Sequence, residues 1–249
     1  MSTSQKPFEH VAATFYPTRV FNFPKVELHC HLDGCFRLSS VIKFAKKRSI
    51  ELPTYDINDL RSYCCLDADE DSSLALFLKK MELFVRVYQG AIRQSPVTGV
   101  VGIDIAGEED IEDSPAFRPH IKAFQYAKEH GIHRTAHAGE AGSAGSVLKA
   151  KSLLSAERIG HGYHISRDPD VYKKILRDQT HLECCPISSY RTGAVRIKEQ
   201  HPIIQFNRDK VNCSLSTDDP GVMLTTLLDD YQLVADFGLS EKNLKIMVS

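Results

Sequence analysis

The chain is 249 residues long, 42% hydrophobic and 25% charged, with a mean hydropathy of -0.25, a formal net charge of -1 and a pI near 6.8. That length suits one large domain or two small ones, and the composition is that of an ordinary globular protein. No basic stripe points to nucleic acid, and no apolar run approaches the roughly 20 residues of a membrane span, so neither partner is expected.

Residues 1–24 read as a polar and aromatic N-terminal arm to a single domain over 1–249, without the charged start and apolar stretch of a secretory signal. The seven cysteines, Cys30, Cys35, Cys64, Cys65, Cys184, Cys185 and Cys213, form no CxxC pair, and neighbouring cysteines rarely bridge each other. A reduced, cytoplasmic setting is the simplest expectation. Asn212-Cys213-Ser214 matches a glycosylation sequon but lies inside an apolar strand-like run, so it is read as chance.

Lys25–His31 is the first β-like run, followed by a helical Leu38–Lys47. Leu52–Asp71 is polar and turn-rich. Leu74–Tyr88 is an amphipathic helix with Leu74, Phe77, Leu78, Met81, Phe84 and Val85 on one face, although its tail Leu83–Tyr88 also passes as a strand. From residue 97 onward, the runs Val100–Ala106, Ile132–His137, Arg158–His161, His181–Cys185 and Val211–Thr217 alternate with helical stretches at Arg118–Glu129, Ser146–Leu154, Pro169–Asp178 and Met223–Asp236. Strand-then-helix alternation predicts a parallel sheet covered by helices.

Chemistry gathers where these runs end. His29 and His31, Gly107, His137, His161 and Asp218 each stand where a strand meets its loop, the position at which parallel α/β folds build their sites. In Val26 to Gly34, His29-Cys30-His31 puts two imidazoles on one strand face, able to grip one ion. A lone His-x-His is weak evidence; here it ends an apolar run just before the turn Asp33-Gly34. In Gly131 to Glu140, His137 offers a third ligand and Glu140 a proton-shuttling carboxylate in a Gly-rich loop. His133 shares the face of His137 by even spacing and competes with it, but lies four residues deeper and is read as packed and structural. Gly160 and Gly162 flank His161, allowing close backbone approach. Asp218-Asp219 is either a capping turn or a ligand beside a substrate contact.

Together these segments resemble the adenosine deaminase family over nearly the whole chain, and Ile103 to Gly107, Cys185 to Tyr190 and Thr192-Gly193-Ala194 match as well. The resemblance implies a TIM-type (β/α) barrel binding one zinc ion. It implies that His29, His31, His137 and Asp218 hold the zinc, that Glu140 is the acid that protonates purine N1, and that His161 is the base for the attacking water. It matches Asp219 to the carboxylate facing N7, Gly107 to the backbone contact at N3, Asp33 to the ribose contact, and His31 to a further substrate contact. Zinc lowers the pKa of water from about 15.7 towards 7, which makes hydrolysis available at neutral pH. The implied reaction is deamination of adenosine and 2′-deoxyadenosine to inosine in purine salvage, and the resemblance also allows cell-surface association.

Two other deaminase chemistries fit less well. His181-Leu182-Glu183 imitates the H-x-E of cytidine-type enzymes, but Cys184-Cys185-Pro186 reverses their second motif. Ala106-Gly107-Glu108 lacks the lysine that bridges two metals in binuclear amidohydrolases, so one metal is expected. Relatives acting on N6-modified AMP commonly have asparagine where this chain has Asp33, whose charge repels a 5′-phosphate and favours the free nucleoside.

By the same resemblance, Val26–His31 is the first barrel strand and Ile103–Gly107 the fourth. Two βα units between them need roughly 60 residues or more, yet residues 34–99 hold only the polar stretch and two helices. The expected fold is therefore a barrel without strands 2 and 3, with a junction near residues 89–97 and a C-terminus soon after the helix that follows strand eight. Exposed strand edges promote oligomers or chaperone contact. The alternative to a working enzyme is a catalytically inactive, truncated form.

Overall fold

In a computed structural model of the chain, residues 19–66, 73–92, 101–107, 109, 117–197 and 199–247 are described. Most of the N-terminal arm, Val100, Glu108 and residues 93–97 of the expected junction lie outside them. Five strands, β1 (Gly102–Ile105), β2 (His133–Ala138), β3 (Arg158–His161), β4 (His181–Cys184) and β5 (Cys213–Leu215), lie side by side in that order, all parallel. Strand order equal to chain order, with no reversal, is the winding of a barrel wall and not of a doubly wound sheet. The connections are α4 (Arg118–Glu129), α5 (Ala144–Leu153), α6 (Pro169–Asp178) and the pair α7 (Pro186–Arg191) and α8 (Pro202–Asp209). Proline stands in the first turn of α4, α6, α7 and α8, and Asp168 caps α6 by accepting from the backbone N–H groups of Asp170 and Val171. All three residues of β5 are buried, as a sheet covered on both faces requires.

After β5, the expected helix Met223–Asp236 is broken in two, α9 (Pro220–Met223) and α10 (Leu227–Asp236), before α11 (Glu241–Ile246). Leu224 takes a left-handed conformation (φ 54°), and Asp229 closes a capping box by accepting from the backbone and hydroxyl of Thr226.

The first run corrects its expectation. Lys25–His31 is extended beside β5 but joins it by one bridge, Cys30 with Asp218. The His31 N–H donates to the Asp218 carbonyl at 2.8 Å, and the Asp218 N–H to that of His29 at 3.2 Å. Side chains supply the rest: Ser216 Oγ accepts from the N–H groups of Leu28 and His29, and the Glu27 carboxylate from the N–H and hydroxyl of Thr217. Val26 and Leu28 on this segment are 47% and 38% exposed, and Val101, just before β1, is 74% exposed. A barrel strand normally bonds on both sides; this segment and β1 each have one neighbour among the described residues, so the barrel is not closed.

Between these edges lie α1 (Leu38–Arg48), α2 (Ile57–Cys64) and α3 (Leu74–Ile92). Asp56 caps α2, a helix hidden in the turn-rich stretch, by accepting from Asn58 and Asp59 N–H. The ambiguous Leu83–Tyr88 is helical, inside α3. The three helices pack with Val222 and Met223 into a hydrophobic cluster separate from the main core.

Candidate active site

The residues at the strand ends converge on one point. Nε2 of His31 lies 3.0 Å from Nε2 of His137 and 3.1 Å from Oδ1 of Asp218, and Nε2 of His29 lies 3.2 Å from that same oxygen. The ring centroids of His29 and His137 are 4.5 Å apart. His161 adjoins them, its Nε2 3.9 Å from Asp218 Oδ2 and 3.5 Å from Glu140 Oε2. His161 and Asp218 both hold positive φ, 65° and 70°, the kind of backbone strain that collects at functional sites.

The donor set fits a metal ion. His29 Nε2 is buried and has no hydrogen-bond partner, while its Nδ1 donates to Glu183 Oε2 at 2.8 Å. His137 Nδ1 faces the Ile105 carbonyl at 3.1 Å, which turns its Nε2 inward. Imidazoles anchored through one nitrogen in this way present the other to a metal. Three imidazole nitrogens and a carboxylate oxygen are donors of the kind zinc takes.

Burial, reinforced by the charge of Asp218, raises the Glu140 carboxyl to about 8, against a hydrogen bond from the Thr192 hydroxyl at 3.0 Å. Burial pushes His161 the other way, well below the usual imidazole range. A carboxyl that keeps its proton beside an imidazole that stays neutral can serve as acid and base. Burial and the charge of Asp218 also raise Asp219, whose Oδ1 is buried without a hydrogen-bond partner. Two glycines make room: a Cβ on Gly34 would fall 1.8 Å from Asp219 Oδ1, and one on Gly160 2.7 Å from the His29 ring.

His137, His161, Thr192 and Asp218 are among the residues lining a cavity of about 360 Å³, within the range of small-molecule sites. His31, Asp33, Gly107, Glu140 and Asp219 face it from the barrel end, and Leu74, Phe77, Leu78 and Met81 of α3 form its apolar wall. His133 is not part of it. Its side chain is 65% exposed and bonded to Glu157 at 2.7 Å, so it is neither a ligand nor packed.

Three supporting residues escaped the sequence reading. Glu183, read only as half of a failed cytidine-deaminase motif, orients His29. Ser188 donates to Asp218 Oδ2 at 2.6 Å. Glu109 accepts from the backbone N–H groups of Gly139, Glu140, Ala141 and Gly142 and from the Ser146 hydroxyl, so one carboxylate holds the whole Gly-rich loop.

The adenosine deaminase family model matches residues 24–94 and 91–248. The chain belongs to the adenosine deaminase family. Membership places it among metal-dependent hydrolases that deaminate adenosine-like substrates. The adenosine deaminase of Mus musculus is 32% identical to it over 322 positions, covering 92% of this chain and 91% of that relative. Those positions exceed this deaminase's 249 residues by 73, so the relative has at least that many residues without a counterpart here. The two matched stretches overlap at 91–94, from the last residues of α3 onward and ahead of β1, where barrel strands 2 and 3 belong. Two solved structures share the fold. Adenine deaminase from Arthrobacter aurescens has a TM-score of 0.75 at 21% identity, over 90% of this chain and 91% of that one. Arabidopsis ADAL complexed with IMP has 0.70 at 20%, over 92% and 90%.

Proposed function

We propose that this deaminase converts adenosine and 2′-deoxyadenosine to inosine products in purine salvage, with one zinc ion held by His29, His31, His137 and Asp218. The observation that carries the reading is the convergence of those four side chains, with His29 Nε2 buried 3.2 Å from Asp218 Oδ1, beside the Glu140–His161 pair. When bound, zinc supplies the Lewis acidity that makes water nucleophilic at neutral pH. The chain's own residues do the rest. Thr192 fixes one oxygen of Glu140 and leaves Oε2 to give its proton to purine N1. Neutral His161 accepts a proton from the attacking water. Asp219 meets N7 through its free Oδ1, and the Gly107 backbone meets N3. The apolar side of α3 covers the base, and Asp33 sits at the ribose end.

Substrate size is the open choice, because the solved relatives include one named for adenine and one complexed with IMP. The charge of Asp33 in the cavity wall disfavours a phosphate there and supports the nucleoside. The test is the ultraviolet change on incubating zinc-loaded protein with adenosine, adenine or AMP. Adenosine should react fastest and Glu140→Gln should nearly abolish turnover; faster reaction with AMP would refute the role given to Asp33.

A second reading, a chain with little or no activity, is favoured by one observation: two of the four proposed ligands ride on a segment joined to its neighbouring strand by a single backbone bridge, with side chains making its other hydrogen bonds there. Turnover beside a version with the missing strands restored separates the two. Comparable rates exclude the inactive form.

A further inference from the structure

Five of the seven cysteines are buried; the exposed two, Cys30 and Cys35, have their sulfurs 3.0 Å apart. Cys30 stands between His29 and His31 on the weakly held segment, and Cys35 directly follows the single 3-10 turn Leu32–Gly34. That turn is bonded back to the segment at His31 and packs against the body of the molecule. Gly34 N–H donates to the His31 carbonyl at 3.0 Å, and the Cys35 thiol donates to the same oxygen at 2.9 Å. Gly34 lies against Asp219, and a Cβ on Gly221 would fall 2.6 Å from the Phe36 carbonyl and 2.7 Å from that of Gly34. One sulfur therefore sits on an anchored turn and the other on an edge that has lost a neighbouring strand.

We propose that Cys30 and Cys35 form a reversible intramolecular disulfide, with a low-molecular-weight disulfide such as oxidised glutathione as oxidant, and that the bond fastens the His29–His31 segment to the anchored turn. The sulfurs must close by about 1 Å to reach bonding distance. The thiolate of one cysteine attacks oxidised glutathione, breaks its S–S bond and expels one glutathione thiolate. The second cysteine then attacks the protein sulfur of the mixed disulfide and expels the other. The protein gives up two electrons and its two thiol protons, and two molecules of reduced glutathione form. Because Cys30 lies between two residues facing the site, the cross-link restrains both. The bond itself is independent of the reading of the site as a deaminase, and only its consequence for catalysis rests on that reading.

Trypsin cuts after Lys25 and Arg37, so both sulfurs fall within one peptide, Val26 to Arg37. The purified full chain is equilibrated across reduced-to-oxidised glutathione ratios, quenched with N-ethylmaleimide and mapped by mass. That peptide should lose about 2 Da and both alkylation sites before any buried cysteine reacts, and dithiothreitol should reverse it. Amides of residues 26–31 should exchange at least about tenfold more slowly in the oxidised protein. Cys35→Ser should stop at a glutathione adduct on Cys30 and leave exchange unchanged, and Cys30→Ser should show the mirror result at Cys35. Glutathione adducts without a cross-link in the unmodified chain, or a cross-link with exchange at 26–31 unchanged, would overturn the proposal.

Discussion

Glu183 reaches His29 from behind, on the side away from the cavity, and leaves only Nε2 to point at the other ligands. Glu183→Gln keeps the shape of that contact but removes its charge, and partners of this kind typically contribute 10–100-fold to metal affinity. Chelator competition on the purified variant should show weakening of about that size, and unchanged affinity would mean that His29 does not need the anchor. Glu140 sets the pH response. Burial raises its carboxyl from 4.5 to about 8, so it holds its proton below that pH and loses it above. Its contribution to stability has the same sign, complete below 4.5 and lost as pH rises through 8. A cation bound alongside lowers the value, so kcat should fall with rising pH along a limb at or below about 8. A profile flat from pH 6 to 9.5 would contradict the acid role. The ligand candidates were legible because each ends an apolar run, where a polar side chain has no packing reason to be. Glu183 was not, since an inward carboxylate within a strand has no sequence mark apart from its neighbours in space. His133 was rightly set apart from the ligands by its depth but wrongly expected to be packed: it opens β2 at the end away from the cavity, where its ring is exposed to solvent and bonded to Glu157.

At the scale of elements, the loop after β2 is shaped by a residue from another loop. Glu109 gathers four successive backbone N–H groups, at 2.8, 2.8, 3.1 and 3.0 Å, and with them the position of Glu140. Glu109→Ala should lower kcat by about a hundredfold, the cost of roughly 1 Å of misplacement, with a smaller change in KM. Steady-state kinetics check this; an unchanged kcat would mean the loop holds itself. Helices α4 to α6 lie within two residues of the helical stretches expected between the β-like runs. Helix α2 was not readable, because Asp56 and Asn58 read as turn residues until the cap they form is seen. The break between α9 and α10 was also hidden, because it depends on Leu224 adopting a conformation that leucine rarely takes.

At the scale of the whole molecule, the missing strands were legible by counting residues between the first and fourth barrel positions. Counting could not tell how the survivors would arrange themselves. Parallel pairing of each strand with its chain neighbour needs no closed ring, so β1 to β5 keep barrel order while the edges stay open. Exposed edges favour self-association, and Val26 stands on one of them at 47% exposure. Light scattering should show oligomers growing with concentration and reduced by Val26→Lys; a monomer at all concentrations in both proteins would count against a sticky edge. The most direct test of a one-metal centre on an open barrel is the zinc content of the purified, monodisperse chain by plasma mass spectrometry. Close to one zinc per chain, lost on His137→Ala, is the expected result. Near-zero zinc in soluble protein whose β2 to β5 amides remain protected from exchange would contradict it.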